Sequence, residues 1–162
     1  MTFVTNRVIF RNFSVELKRG ACQTGTYRIG ARNMRSTVLF VSPFREDAQR
    51  LSQMLSQLPL VFDHVPDLQH ARAKLRQSRY GVILTEAGLP DGSWLDILSL
   101  ARSLAPGPEV IVTDPYADAC FWAEALNLGA YDLLAQPFYE SEVRRILYNA
   151  CSRIVQQHAA AV

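Results

Sequence analysis

Five short apolar runs, each followed by a stretch with helical spacing, constrain the fold of this chain more than any other feature. The apolar runs cover residues 37–41, 60–65, 81–86, 109–114 and 130–135. The stretches predicted to be helical cover residues 42–58, 67–79, 93–104, 117–129 and 139–157. Parallel strands need crossover connections of this kind, and strands without polar alternation are typically covered on both faces. The sequence therefore predicts an α/β fold with a doubly wound, five-stranded parallel sheet.

Two of the predicted helices begin with recognisable capping residues. Ser42 followed by Pro43 offers a hydroxyl cap and then a proline at the first helical position. Asp67 offers a carboxylate cap to the second helix. We therefore expect the first two helices to start at these residues.

The ends of the predicted strands are where a functional site is expected. In open α/β sheets, ligands and reacting groups lie beyond the carboxyl ends of the strands. Those ends carry Ser42-Pro43, Glu86, Thr113-Asp114 and Gln136-Pro137. Glu86 closes the apolar run of the stretch VILTEAGLPDG, and a carboxylate at the tip of a buried strand is usually placed there for chemistry.

The first 36 residues do not follow the alternation of strand and helix. They hold seven basic residues and one acidic residue, whereas the remainder holds ten basic and fourteen acidic residues. We expect a basic N-terminal extension over residues 1–36 that forms a hairpin, an arm or a disordered segment. Alternatively, Met34 is the true start of translation. A single domain over residues 37–157 and a short tail over residues 158–162 complete the predicted organisation.

Composition excludes several classes of protein. No apolar run approaches the roughly 18 residues of a membrane span, and no signal segment opens the chain. The three cysteines form no Cys-x-x-Cys pair, and the three histidines, His64, His70 and His158, show no ligand spacing. We expect a protein of the reducing cytoplasm without a membrane segment, a metal site or a cofactor, with scattered surface or boundary histidines.

Two motifs carry a resemblance to a known family. The stretch EAGLPDGSWLDIL is similar to the phosphoacceptor strand and turn of response regulator receiver domains. The stretch GAYDLLAQPF is similar to the strand that carries the lysine of that family before a proline. Residues 37–157 as a whole resemble a receiver domain. The resemblance implies a flavodoxin-like fold and a role in bacterial two-component (phosphorelay) signal transduction.

The residues expected to carry phosphoryl chemistry differ from the pattern of that family. In receiver domains an acidic pair after the first strand binds magnesium, and an aspartate at the end of the third strand accepts the phosphoryl group. The resemblance assigns the acidic-pair positions to Ser42 and Pro43, which supply no carboxylate. It assigns the phosphoacceptor position to Glu86, whose carboxylate lies one methylene further out.

The two remaining family positions lie at the ends of the last two predicted strands. The threonine or serine position falls on Asp114 by direct spacing, or on Thr113 if one residue is inserted. The lysine position falls on Gln136, and the only lysines of the chain are Lys18 and Lys74. The bond between Gln136 and Pro137 is expected to keep the cis form found in the family.

These departures predict a receiver domain that does not phosphorylate itself. Transfer of a phosphoryl group to a carboxylate requires that a metal ion and a cation neutralise the developing charge. Each missing element could cost several kcal/mol of barrier. We therefore expect a protein that is not an enzyme and that acts through protein–protein interaction.

Two roles are open for Glu86 in such a domain. Its carboxylate could imitate a phosphorylated aspartate, although it carries one negative charge where a phosphoaspartate would carry about two. Alternatively, it is solvated or hydrogen-bonded to N–H groups of nearby loops. If Asp114 lies close to Glu86, repulsion between the carboxylates would raise the pKa of one of them.

The surface of the last two helices is the predicted binding site for a partner. In receiver domains, the face made by the fourth helix, fifth strand and fifth helix docks onto a second copy or an output domain. Phe121 and Trp122 are adjacent in the fourth helix, so one of them is expected to be exposed. Arg144, Arg145 and Tyr148 in the last helix are candidates for a polar rim. The expected partners are a histidine kinase, an output protein or a second copy of the chain.

Three alternative functions are compatible with parts of this sequence. Asp91 or Asp114 could replace Glu86 as a working phosphoacceptor, although Asp91 would more commonly cap the helix that follows it. The basic N-terminal segment could bind nucleic acid, without sequence specificity because no base-reading motif is visible, and this is not expected as the main role. The pocket at the strand ends, where the acidic pair and the lysine of the family are missing, could bind a small molecule, although the chain has no phosphate-binding loop.

Overall fold

The computed structural model describes residues 36–160, so the predictions made for residues 1–35 lie outside the described part of the chain. The strands are β1 (Ser36–Val41), β2 (Leu60–Val65), β3 (Val82–Glu86), β4 (Gly88–Leu89), β5 (Gly92–Ser93), β6 (Glu109–Asp114) and β7 (Asp132–Ala135). The helices are α1 (Arg45–Leu55), α2 (Leu68–Gln77), α3 (Trp94–Arg102), α4 (Ala119–Leu128) and α5 (Glu140–Ala160). No helix in this part of the chain is long and apolar enough to cross a membrane.

The main sheet confirms the predicted architecture. Its five strands lie in the order β2-β1-β3-β6-β7, and all neighbouring pairs are parallel. The register aligns Val41 with both Val65 and Thr85, and Glu86 with Thr113. The carboxyl ends of the strands therefore meet at one edge of the sheet, as a doubly wound fold requires.

The core lies on both faces of the sheet because successive residues of each strand point to opposite sides. In β1, Val38 and Phe40 pack with residues of α1 and α5, whereas Leu39 and Val41 pack with residues of α2, α3 and α4. All four side chains are fully buried. The uninterrupted apolar run over residues 38–41 of this strand is explained by its coverage on both faces.

The start of the first helix was predicted wrongly. α1 begins at Arg45, with Phe44 as the N-cap residue and without a side-chain cap. The N–H of Ser42 instead donates to the carbonyl of Val65, which extends the pairing of β1 with β2 by one residue. Because Ser42 is held in this way, Pro43 lies in the connection between strand and helix and not in the first helical turn.

Two other helix boundaries are informative. Asp67 caps α2 as predicted, since its side chain accepts a hydrogen bond from the N–H of His70. The last helix, α5, continues to Ala160, so residues 158–160 belong to the helix and not to the predicted tail.

A two-stranded antiparallel hairpin, formed by β4 and β5, follows β3 and was predicted only as a turn. Asp91 lies in the turn of this hairpin, but it does not cap α3, which begins with a capping box between Ser93 and Asp96. The carboxylate of Asp91 accepts hydrogen bonds from the N–H groups of Leu68 at 2.8 Å and Gln69 at 2.9 Å. Asp91 therefore holds the hairpin to the start of α2, the preceding helix.

We expect Asp91→Ala to lower the free energy of unfolding by about 1–2 kcal/mol, because two N–H groups at the start of α2 lose their acceptor. Urea unfolding followed by circular dichroism measures the change. Asp91→Asn is the matched control, since its amide oxygen keeps one acceptor and should recover part of the loss. Equal stability of the alanine variant and the unaltered chain would contradict the role given to Asp91.

Candidate functional site

Four polar side chains come together at the carboxyl edge of the main sheet. Glu86 ends β3 and Thr113 lies opposite it in β6, while Ser42 and Gln136 directly follow β1 and β7. Ser42, Glu86 and Thr113 are buried. The site therefore contains four of the residues predicted from the strand ends, in the places that the parallel register dictates.

The carboxylate of Glu86 is held by neutral hydrogen-bond donors. The hydroxyl of Ser42 donates to Oε1 at 3.1 Å, and Nε2 of Gln136 lies 2.9 Å from Oε1 and 3.0 Å from Oε2. The same Nε2 lies 3.3 Å from the hydroxyl oxygen of Thr113. Of the two roles left open for Glu86, the second expected a carboxylate that is solvated or hydrogen-bonded to N–H groups of loops. Glu86 is hydrogen-bonded, but the donors are side chains.

The site holds a buried carboxyl group without a cation beside it. Glu86 is only 4% exposed, and it takes part in none of the four ion pairs found within residues 36–160. Burial raises the pKa of Glu86, and the charge of Asp47 on α1 raises it further. The hydrogen bonds from Ser42, Gln136 and Thr113 lower the pKa of Glu86 but do not outweigh the burial.

His64 extends this hydrogen-bond network to the outermost strand, β2. Its Nε2 lies 2.8 Å from the carbonyl oxygen of Ser42, so this nitrogen carries a proton and donates. The network from His64 through Ser42 and Glu86 to Gln136 and Thr113 therefore joins all five strands of the main sheet. From the sequence, His64 was expected to be a scattered surface or boundary histidine. Its place near the end of a predicted strand was the signal that could have identified it.

Ser42 also connects the site to the start of α1. Its hydroxyl oxygen accepts a hydrogen bond from the N–H of Phe44 at 3.1 Å while the hydroxyl hydrogen is directed to Glu86. Phe44 is the N-cap residue of α1, and its side chain is 58% exposed. The hydroxyl of Ser42 thus lies between the buried carboxylate and an exposed aromatic residue.

Two aspartates considered as alternative phosphoacceptors lie outside the network. The carboxylate of Asp114 accepts a hydrogen bond from the N–H of Tyr116 at 2.7 Å, in the loop after β6. Asp91 is bound to the start of α2. Neither contributes to the pKa of Glu86, so the predicted repulsion between Asp114 and Glu86 is not found. Of the two residues considered for the threonine position, it is Thr113 that faces Glu86.

The side chains of the site do not fit a magnesium ion. Magnesium requires hard oxygen ligands, commonly one or two carboxylates together with water and phosphate oxygens. Glu86 is the only carboxylate of the network, and both of its oxygens already accept hydrogen bonds. No group of three or more metal-binding side chains comes together anywhere in the described part of the chain. The amide of Gln136 also fills the place beside Glu86, which argues against a pocket for a small molecule there.

A second candidate site is the groove between α4, β7 and α5. Trp122 is 47% exposed, whereas Phe121 packs against Trp94 with their ring centroids 6.1 Å apart. The expectation that only one of the two aromatic residues is exposed is confirmed. The indole N–H of Trp122 donates to the carboxylate of Asp132 at 2.9 Å. The groove has a volume of about 450 Å³ and carries four charged side chains, Asp118, Asp132, Glu142 and Arg145.

Two of the predicted rim residues do not line this groove. Arg144 hydrogen-bonds to the carbonyl of Met54 at the end of α1 and forms an ion pair with Glu140. Its helical position directs it toward α1 and away from Trp122. Tyr148 is half-buried and lies one turn beyond Arg144, so it also belongs to the α1 side of α5. Among the three residues proposed for α5, only Arg145 lines the groove.

Comparisons with known proteins concern the domain as a whole. The family model of the response regulator receiver domain matches residues 38–148. Response regulator protein PilR of Pseudomonas aeruginosa is 26% identical over 116 residues, which are 72% of this chain but only 26% of the length of PilR. The chain thus spans about a quarter of that relative.

Solved structures show the same fold. The signal receiver domain of an HD domain-containing protein from Pseudomonas fluorescens Pf-5 matches with a TM-score of 0.70 and 25% identity, over 77% of this chain and 93% of that one. The beryllofluoride-activated NtrC4 receiver domain dimer matches with a TM-score of 0.68 and 23% identity, over 74% of this chain and 98% of that one. The predicted fold, an α/β flavodoxin-like domain of receiver type, is therefore confirmed.

Proposed function

Because this chain belongs to the family of response regulator receiver domains of two-component signal transduction, we propose that it is a member that is not phosphorylated at the usual strand-end position. It acts instead by binding other proteins. This role needs no catalysis by the chain itself, and the proposal includes that the chain is not an enzyme.

The observation that carries this proposal is the position of Gln136 over Glu86. Nε2 of Gln136 lies 2.9 and 3.0 Å from the two carboxylate oxygens, where the resemblance leads us to expect a cation. A neutral amide does not balance the charge of an incoming phosphoryl group, and Ser42 and Pro43 supply no carboxylate for a metal ion. The carboxylate that would attack is therefore occupied, buried and without the groups that stabilise the transition state.

The same contacts argue against Glu86 as an imitation of a phosphorylated aspartate. A phosphorylated side chain carries about two negative charges and forms charge-assisted hydrogen bonds with cations. Glu86 is buried, carries at most one charge, and bonds only to neutral side chains. We infer that the network holds the carboxyl edge in one arrangement that does not depend on phosphorylation.

The proposal predicts that incubation with acetyl phosphate and magnesium leaves the mass of the chain unchanged. Intact-mass spectrometry of the folded protein tests this directly, and a receiver domain with the full set of acidic residues and lysine, treated in parallel, shows that the donor is active. A phosphoryl group found on Glu86 or on any aspartate of the folded chain would refute the proposal. Peptide mapping of such a product would identify Asp91 or Asp114 if either were the acceptor.

We further propose that partners bind at the groove between α4, β7 and α5. Trp122 provides an exposed aromatic anchor there, and aromatic residues are frequent among the residues that dominate binding energy. None of the four charged side chains of the groove forms an ion pair within residues 36–160. A second copy fits this pattern, because Arg145 of one copy can pair with carboxylates of the other in a two-fold contact. A histidine kinase or an output protein is the alternative partner for the same groove.

A further inference from the structure

The hydroxyl of Ser42 forms hydrogen bonds both with Glu86 and with the start of α1. An ionised carboxylate only accepts hydrogen bonds, so the hydroxyl hydrogen of Ser42 is directed to Oε1 at 3.1 Å. The oxygen of the same hydroxyl accepts from the N–H of Phe44 at 3.1 Å. A hydroxyl that donates strongly to an anion also becomes a better acceptor, because successive hydrogen bonds polarise one another.

We propose that Glu86, Ser42 and Phe44 form a proton-operated relay that couples the buried carboxyl group to the N-cap of α1. This inference rests on the proposed function, since it requires that a neutral amide and not a cation faces Glu86. When Glu86 takes up a proton, its O–H becomes a donor and its oxygens become weaker acceptors. The hydroxyl of Ser42 then loses its charged acceptor, and its hydrogen bond to the N–H of Phe44 changes with it.

The charged and titratable groups around Glu86 determine the direction of this response. Asp47 on α1 adds a negative charge, which disfavours the ionised form. His64 on β2 reaches only the carbonyl of Ser42, and Asp114 at the end of β6 is turned to the N–H of Tyr116. Gln136, after β7, is uncharged. No positive side chain forms an ion pair with Glu86 within the described residues, so burial is the dominant influence.

The sign of the linked change in stability follows from the raised pKa of Glu86 in the folded chain. In the unfolded chain, a glutamate titrates near about pH 4.3. The stability contributed by the bound proton is therefore fully present below that pH, and it is lost as the pH rises through the higher pKa of the folded state. A variant that cannot ionise at this position should not show this loss.

The relay is tested by following the amide resonance of Phe44 in nitrogen–proton NMR spectra of the full chain between pH 4.5 and 8. We expect this resonance to titrate in the unaltered chain with a midpoint above the ordinary value of a glutamate. In Glu86→Gln, the resonance should stay at the position that the unaltered chain reaches at low pH, because the amide resembles the protonated acid. Glu124→Gln changes an exposed residue of α4, so the resonance of Phe44 should titrate in this variant as it does in the unaltered chain.

Ser42→Ala separates the relay from a direct effect of charge. In this variant the amide of Phe44 should no longer follow the titration of Glu86, which carbon NMR of the glutamate side chains records independently. A resonance of Phe44 that is constant over the pH range, or that titrates equally in Glu86→Gln, would overturn the relay. Either result leaves the mass measurement with acetyl phosphate unaffected, so the relay and the proposed function fail separately.

Discussion

A variant that carries Ser42→Asp, Pro43→Asp, Glu86→Asp and Gln136→Lys together should take up a phosphoryl group from acetyl phosphate when magnesium is present. Ser42→Asp and Pro43→Asp restore carboxylates for the metal ion, Glu86→Asp restores the shorter nucleophile, and Gln136→Lys restores the cation. Thr113 already faces the site. Removing one group that stabilises a developing charge typically costs about 10²–10³ in rate. We therefore expect phosphorylation at least about 10³-fold faster than in the unaltered chain, measured by intact mass over time.

Two controls define this experiment. The same variant with Glu86→Asn in place of Glu86→Asp keeps the metal site and the lysine but has no nucleophile, so it should remain unmodified. The quadruple variant without magnesium should react no faster than the unaltered chain, because the metal ion supplies most of the charge neutralisation. If a cooperatively folded quadruple variant with bound magnesium remained unreactive, the missing groups would not be the reason for the inactivity of this site.

The fold was largely readable from the sequence because its signals are local and repeated. Val38 to Val41 form an uninterrupted apolar run, and such a run within so short a segment is typical of a strand covered on both faces. The sequence did not show that Ser42 would remain bound to β2. The Ser42-Pro43 pair satisfies the local rules for a helix start, but the hydrogen bond from the N–H of Ser42 to Val65 depends on a strand 23 residues away in the chain.

The candidate site was predictable in its members but not in its hydrogen bonds. Parallel strands bring their ends to one edge, so Glu86, Ser42 and Gln136 were expected near one another. The choice between Thr113 and Asp114 could not be made from spacing, because one residue of register reverses the side of the sheet to which a side chain points. The alignment of Glu86 with Thr113 decides it.

The roles of Asp91 and His64 were missed for the same physical reason. Each is determined by a partner that is distant in the sequence. Asp91 binds the start of α2, 22 and 23 residues earlier in the chain, and His64 binds the carbonyl of Ser42, 22 residues earlier. Propensity and spacing describe neighbours along one element, whereas these contacts arise from the packing of one element against another.

Trp122→Ala should weaken self-association of the chain at least about 30-fold, because truncation of a central aromatic anchor typically costs 2 kcal/mol or more of binding free energy. The stability of the monomer should change little, since the side chain of Trp122 is 47% exposed and its main polar contact is the exposed hydrogen bond to Asp132. Sedimentation equilibrium over a range of protein concentrations measures the first quantity, and urea unfolding at low concentration measures the second.

Phe121→Ala is the matched control, because it removes an aromatic side chain from the adjacent position of the same helix. Phe121 packs against Trp94 on the core side of α4, so its truncation should lower the free energy of unfolding by about 3 kcal/mol. The two substitutions should therefore have different effects: Trp122→Ala should weaken association, and Phe121→Ala should lower stability.

If neither Trp122→Ala nor Arg145→Ala changes the association constant, the groove between α4, β7 and α5 does not hold a second copy. The charged side chains of the groove would then be available to a different protein. Trp122→Ala and Arg145→Ala would test that contact in a binding measurement with that protein.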